Sequence, residues 1–441
     1  MKCDFSRSTF QPNAGYSRVL MQQGRVQLDA DWNEQVAIGV HQLRALARDL
    51  IGEHGGPKDN VGFEIGPGTS PNSLKSGDFA ISPGHYYVQG VLCENPTQTT
   101  FLTQADLRSK ELPIGSYIAY LDVWEREITP VQDATIREVA LGGPDTAARA
   151  RVVWQVRAVE AKDVDLTKRA DVLTFFKNWL DAKLTRVRLR ARAQKTSPAN
   201  LDPCQVAPES RYRGLENQLY RVEIQSLNPP TFRWSRDNGS VIFPIVSLVS
   251  GDGKTVVRLE HLGRDQHSGL APGDWVEVAD DGSALDPAEK SALLSVLSVD
   301  RLERTATLQG VVSGGIGQET SRHPLLRRWD HSTLSKPSSL SNNLGLSVGT
   351  PNDWIDLEDG IQIQFESASA GYHVGDYWLI PARTATGNVE WPRSGATEIF
   401  QAPHGVTHHY APLATLQIVN GGALGGLGEL RNAFGPLAQP L

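Results

Sequence analysis

Apolar residues recur in steps of three and four near the start of the chain. Trp32, Val36, Val40, Leu43, Leu46 and Leu50 form one continuous stripe, the mark of an amphipathic helix. Asp29, Asp31 and Asn33 stand at its start, and Arg44 and Arg48 lie towards its end, as the helix dipole favours. Gly52 and then Gly55-Gly56-Pro57 stop it. The pattern predicts an amino-terminal helix over about 32–51. An irregular arm precedes it, with a short apolar stretch at Tyr16, Val19, Leu20 and Met21.

From residue 58 the period shortens to two. Gly, Pro, Asn and Ser punctuate β-prone runs such as FAIS (79–82), HYYVQGVLCE (85–94) and SYIAYLDVWEREI (116–128). The last sets Tyr117, Ala119, Leu121 and Val123 against Ile118, Tyr120, Asp122 and Trp124. One face is therefore expected on a core and the other partly covered. ARVVWQVRAVEA (150–161) reads as a further strand.

A second helix is predicted over 163–184 from Val164, Leu173, Phe176, Trp179, Leu180 and Leu184. TRVRLRARAQ then alternates strictly. Residues 196–214 read as a loop. QLYRVEIQSL, TFRWSR, SVIFPIVSLV and TVVRLEHL read as strands, with Asp237-Asn238-Gly239 as a hairpin turn between two of them. Residues 268–312 suggest a small barrel containing a helix-like piece at 286–294. Residues 313–352 suggest a long loop crossing a neighbour. WIDLEDGIQIQFE and GDYWLIPA add strands, and the glycine-rich tail from 420 is expected to be mobile or docked on a partner. Pro-Gly-Asp-Trp at 272–275 and Val-Gly-Asp-Tyr at 374–377 share one turn chemistry.

The expected fold is mainly β with a few helices (α+β), in several small antiparallel sandwich- or barrel-like domains. The serial division is 1–57 arm and helix, 58–162 β domain, 163–267 helix plus β domain, 268–312 barrel-like insert, 313–419 loop-rich β domain and 420–441 tail.

Composition narrows the function. The 441 residues carry a net charge of −7, with no basic excess to hold a phosphate backbone, so nucleic acid is not an expected partner. No apolar run approaches the ~18 residues of a membrane span. The first residues lack a signal-peptide pattern, so the chain is expected in the cytosol unless a particle carries it out. Cys3, Cys93 and Cys204 form no CxxC and are expected to be reduced, structural thiols.

Candidate chemistry is sparse. Asp29-x-Asp31-x-Asn33 opens like a calcium loop but has Glu34 and Val40 where Gly and Glu are required. His404, His408 and His409 crowd one segment, and since Pro403, Gly405 and Pro412 oppose the helix that would aim two of them at one metal, a loop that bonds its own backbone or packs at an interface is expected. Arg327-Arg328-Trp329 suits a phosphate or carboxylate, or a structural network with Asp330. Arg186, Arg188, Arg190 and Arg192 fall on one face of a strand, a positive stripe that suits an acidic neighbour first, with a solvated face or a nucleic acid as the other readings. Trp124, Trp234, Trp275 and Trp391 are candidate glycan platforms, or core.

HExxH, P-loop and GxGxxG patterns are all absent. Glu125/Glu127 and Asp356/Glu358/Asp359 are the carboxylate groupings a glycosidase would need. The expectation is a chain without enzyme activity or cofactor.

Asp4-Phe5-Ser6-Arg7 and the block from Met21 to Glu34, MQQGRVQLDADWNE, resemble the opening of an uncharacterised-domain family of phage-tail-like particles and extracellular contractile injection systems. GLENQLYRVEI (214–224), FRWSRDNGSVIFPI (232–245), GDYWLIPARTATGNVEWP (375–392) and HHYAPLA (408–414) agree with it, and the connecting segments depart from it. The resemblance implies a structural or accessory subunit that binds other tail or baseplate proteins, with the amino-terminal block serving attachment. It supplies no catalytic residue. Ring-shaped tail machinery implies a homo-oligomer of three or six copies. A carbohydrate- or receptor-binding tail module is the alternative, and a cell-wall hydrolase the more distant one.

Overall fold

A computed structural model of the chain describes residues 1–67, 75–106, 110–194, 212–265, 267–286, 292–312, 314–330, 340–341, 345–350, 353–366 and 371–436. It is mainly β. The α-helices among these residues are α1 (Asp29–Ile51), α2 (Arg169–Leu184) and the short α3 (Asp281–Leu285). Contacts gather the chain into two units, each made of three separate stretches. A helix-bearing unit holds Thr9–Arg126, Ala150–Leu184 and Thr407–Leu441. A barrel unit holds Met1–Ser8, Glu127–Arg149 and Thr185–Val406. The expected series of six consecutive segments does not match this interleaving, because the long strands pair with partners hundreds of residues away.

The helix-bearing unit is organised on the strand Gly115–Ile128, which pairs antiparallel with His409–Ile418. The two alternating sets of this strand enter two cores. Tyr117, Ala119, Leu121 and Val123 pack with Phe63, Phe79, Tyr86 and Leu413. Ile118 and Tyr120 meet Val172 and Phe176 of α2, so α2 supplies the cover that alternation left open. HYYVQGVLCE forms the hairpin Gly84–Val88 and Val91–Asn95, turned by Gln89 and Gly90 at φ 51° and 78°. Gly90 also seats α1. A Cβ there would lie 2.4 Å from the Arg44 carbonyl oxygen. The glycine-rich tail is built in rather than mobile. Leu424–Glu429 pairs with His409–Ile418, and Ala433–Phe434 runs parallel to His54–Pro57.

His54 reports on that tail. Its Nδ1 lies 2.8 Å from the Tyr86 hydroxyl, which also accepts the Asn432 N–H. Burial, with Arg169 adding, pushes its imidazole from 6.5 down to about 4. The folded unit therefore holds this ring neutral. Its contribution is full above pH 6.5 and drains away as the pH falls towards 4. Urea titrations across that window are expected to show His54→Gln losing less stability on acidification than wild type.

In the barrel unit Gln218–Leu227 lies between Pro230–Ser235 and Tyr377–Arg383 in a six-stranded sheet. Six strands close the barrel in the order Ile242–Gly251, Lys254–Leu259, Thr305–Gln309, Leu293–Asp300, Trp275–Ala279 and Leu325–Trp329. Phe243, Val257, Val276, Val278, Leu308 and Leu326 fill it. The barrel thus extends beyond the expected 268–312 at both ends. The Asp237-Asn238-Gly239 turn forms, with Asn238 and Gly239 at φ 52° and 69°, but it is not a hairpin. The strand before it joins the sheet and the strand after it joins the barrel. Gly273 and Gly375, at φ 94° and 93°, make equivalent turns into Trp275–Ala279 and Tyr377–Arg383. The short helix α3, capped by Asp280, lies just before the helix-like piece expected at 286–294, most of which falls outside the described residues. Most of the 196–214 loop, Cys204, and parts of 313–352 including His331 lie outside the described residues.

Candidate interaction surface

Helix α1 spans 23 residues, about 35 Å at 1.5 Å per residue. It begins at Asp29, so Asp29 and Asp31 sit in its first turn and favour its dipole rather than preceding it. A narrow strip of the helix is tethered. Ala30 and Ile38 are buried, Arg44 pairs with Glu125 at 2.8 Å, and Gln35 accepts the Val19 N–H at 2.8 Å. The apolar stripe faces the other way. Trp32 is 73% exposed and Leu43 65%, and Val36, Val40, Leu46 and Leu50 are exposed with them. Tyr16, Leu20, Met21, Val26 and Leu28 of the preceding arm are also exposed. A contiguous apolar surface of this kind marks an interaction site, because water contact at each such side chain costs on the order of 1 kcal/mol.

The other candidates are satisfied within the chain. In the barrel unit the strand is Leu189–Ala193, so Arg190 and Arg192 lie on it and Arg186 and Arg188 in the segment before it, and each of the four has a partner. Arg186 pairs with Asp376, and Arg188 with Glu366 at 2.6 Å. Arg190 and Arg192 donate to Gln364 and Gln362 at 2.6 and 2.8 Å, and Arg192 stacks 3.7 Å from the Trp354 ring centroid. Carboxylates thus neutralise Arg186 and Arg188, while neutral glutamine amides hold Arg190 and Arg192.

Arg327, Arg328 and Trp329 belong to a barrel strand, not a loop, and all three are buried. Arg327 donates to the Gly239 carbonyl and Arg328 to that of Gly269. Around Trp329 runs an ion network that the sequence did not reveal. Glu223 accepts Arg221 at 2.7 Å and Arg233 at 2.6 Å, and Arg233 lies 2.9 Å from Glu277. Lys2 enters it 3.4 Å from Glu223, and burial pushes its ammonium down to about 7. Burial alone would raise Glu277, but Arg233 and Lys2 outweigh it and hold the carboxyl below its usual range. The network anchors residues 1–3, aided by Asn238, which donates to the Met1 and Cys3 carbonyls.

The histidines do not converge. His404 belongs to the barrel unit and accepts the Leu379 N–H at Nδ1, 3.0 Å away. His408 and His409 belong to the other unit. His408 Nδ1 lies 2.6 Å from Asp122 and its ring stacks on Trp124 at 4.7 Å. Burial, then Arg44, lowers the pKa of His409. Among the described residues no group of three His, Cys, Asp or Glu is placed to hold a metal ion. Trp124, Trp234, Trp275 and Trp391 are buried, so they are not glycan platforms. Cys3 and Cys93 are free and buried, and burial raises both thiols. Glu358 accepts Arg236 and Tyr220, and Asp356 accepts Gln362. Among the described residues no helix is long and apolar enough to cross a membrane.

The chain belongs to DUF6519, a family of unknown function, whose pattern matches residues 1–185 and 172–421. No curated protein matches it. One solved structure, a crystal structure of TssK, is similar at 8% identity and a TM-score of 0.18, covering 79% of this chain and 98% of that one.

Proposed function

We propose that this chain is a structural subunit of a contractile injection system or phage-tail-like particle, built to bind neighbouring tail or baseplate proteins and without catalytic activity. The observation that carries this reading is the exposed apolar surface of α1 and its arm. It overlaps the amino-terminal block, Met21 to Glu34, that resembles the particle family, sharing Met21, Val26, Leu28 and Trp32 with it. Nothing in the fold of either unit requires those side chains to be apolar, whereas a neighbour covering them would. The interleaved strands and the buried ion network give the rigid frame such a part needs. Assembly would take place in the cytosol, with release as part of the particle, in three or six copies.

The buried tryptophans weigh against the glycan-binding alternative, and the carboxylates named for a hydrolase are held by neighbouring donors. Co-expression with the baseplate and tube proteins of its own operon tests the proposal. The tagged chain is expected to retain at least one of them through purification, and Trp32→Asp to lose it. A wild-type chain that captures none of them and has no place in the particle would refute the reading.

A further inference from the structure

The exposed stripe has a finer grain than amphipathicity. Positions 32, 36, 39, 43, 46 and 50 follow alternating steps of four and three, the seam of a coiled coil. The seam is interrupted only by Gly39, where a Cβ would meet nothing within 4 Å. A seam this regular calls for another helix, and its own residues complement one another.

We propose that α1 pairs with α1 of a second copy of this chain, antiparallel, about a two-fold axis near the middle of the helix. In that register Trp32 faces Leu50, Val36 faces Leu46 and Gly39 faces Leu43, each twice by symmetry. Large meets small or medium at every layer, and Leu43 fills the space above Gly39. A parallel pair would instead set Trp32 on Trp32 and Gly39 on Gly39, crowding one layer and leaving a void in another. The flanks also agree. Gln42 meets Gln42, Val40 meets Val40, Asn33 meets Ala47 and Gln35 meets Asp49, so no like charges oppose each other. The acidic first turn of one helix runs beside the last turn of the other, which carries Arg48.

From their fractional exposures, Trp32, Val36, Val40, Leu43, Leu46 and Leu50 offer roughly 600 Å² per copy, or about 1,200 Å² for the pair, the lower edge of specific interfaces. The arm adds to this. The pairing deepens the subunit reading by naming what covers the seam, and a two-fold contact builds even-numbered assemblies such as a hexamer.

Sedimentation velocity on the full chain from roughly 1 to 50 µM is expected to show self-association with a Kd on the order of 1 µM. Leu43→Asp, at an exposed position, is expected to weaken it about 100-fold with an unchanged circular dichroism spectrum. Gly39→Leu should weaken it about 10-fold or more while the isolated chain unfolds no earlier than wild type, since the site is open within one copy and leucine is the better helix former. Under mild oxidation, Trp32→Cys chains mixed with Leu50→Cys chains should cross-link to each other, and neither to itself. Overturning results are a monomer throughout that range, association untouched by Leu43→Asp, or Trp32→Cys chains cross-linking to themselves. A monomeric chain that still binds tail proteins through Leu43 would refute self-pairing and leave the subunit reading intact.

Discussion

Glu223→Ala is expected to cost the barrel unit about 3–5 kcal/mol, among the largest effects of any single substitution in the chain. Glu223 is 1% exposed and is shared by Arg221, Arg233 and Lys2. Removing its charge leaves three cations facing one another, with only Glu277 to balance Arg233. Coulomb repulsion and desolvation then act in the same direction. Glu223→Gln keeps the shape and part of the hydrogen bonding, so it should fall between wild type and alanine. Urea unfolding followed by tryptophan fluorescence checks both, because Trp234, Trp329 and Trp378 are buried in this unit. Equal stability of all three proteins would mean that the network is not a structural anchor.

Deleting residues 421–441 is expected to do comparable or greater damage to the helix-bearing unit, on the order of 5 kcal/mol. The deletion strips the ladder between Leu424–Glu429 and His409–Ile418 and the parallel bridge from Ala433–Phe434 to His54–Pro57. It opens the core around Ile118 and Val172 where Leu430 is buried. It also orphans Arg169, which donates to the Glu429 and Leu430 carbonyls, and removes Arg431, which donates to those of Val61 and Gly62. The expected outcome is a protein that is insoluble or melts many degrees lower. A truncated chain with an unchanged melting curve would show the tail to be an appendage, as its glycine content first suggested.

That tail shows where the sequence stopped being informative. Its glycines read as flexibility, but a Cβ at Gly425 would lie 2.9 Å from the Val419 side chain and one at Gly428 2.4 Å from the Thr415 hydroxyl, where a larger residue would not fit easily. The α1 helix was legible from its stripe to within three residues at its start. The direction the stripe faces was not, since the same spacing serves a core or an interface. Only the seating of Gly90 and Ile38 on the opposite side decided it. Of the alternating arginines, Arg190 and Arg192 lie on the strand Leu189–Ala193 and Arg186 and Arg188 before it. Their partners stand some 170 to 190 residues away, beyond any local pattern. Leu325–Trp329 was hidden for a related reason. Two arginines inside a Gly/Ser/Pro-rich stretch look like surface, whereas here carbonyls, Asp330 and the network's acids make room for them in a barrel wall.

The central claim is that the apolar face of α1 exists to be covered in an assembly. Hydrogen–deuterium exchange on the chain alone and within purified native particles tests it most directly. The chain is expected in the particles, with the amides of residues 16–50 strongly protected there relative to the dilute monomer. Particles lacking the chain, or equal exchange over 16–50 in both states, would contradict it.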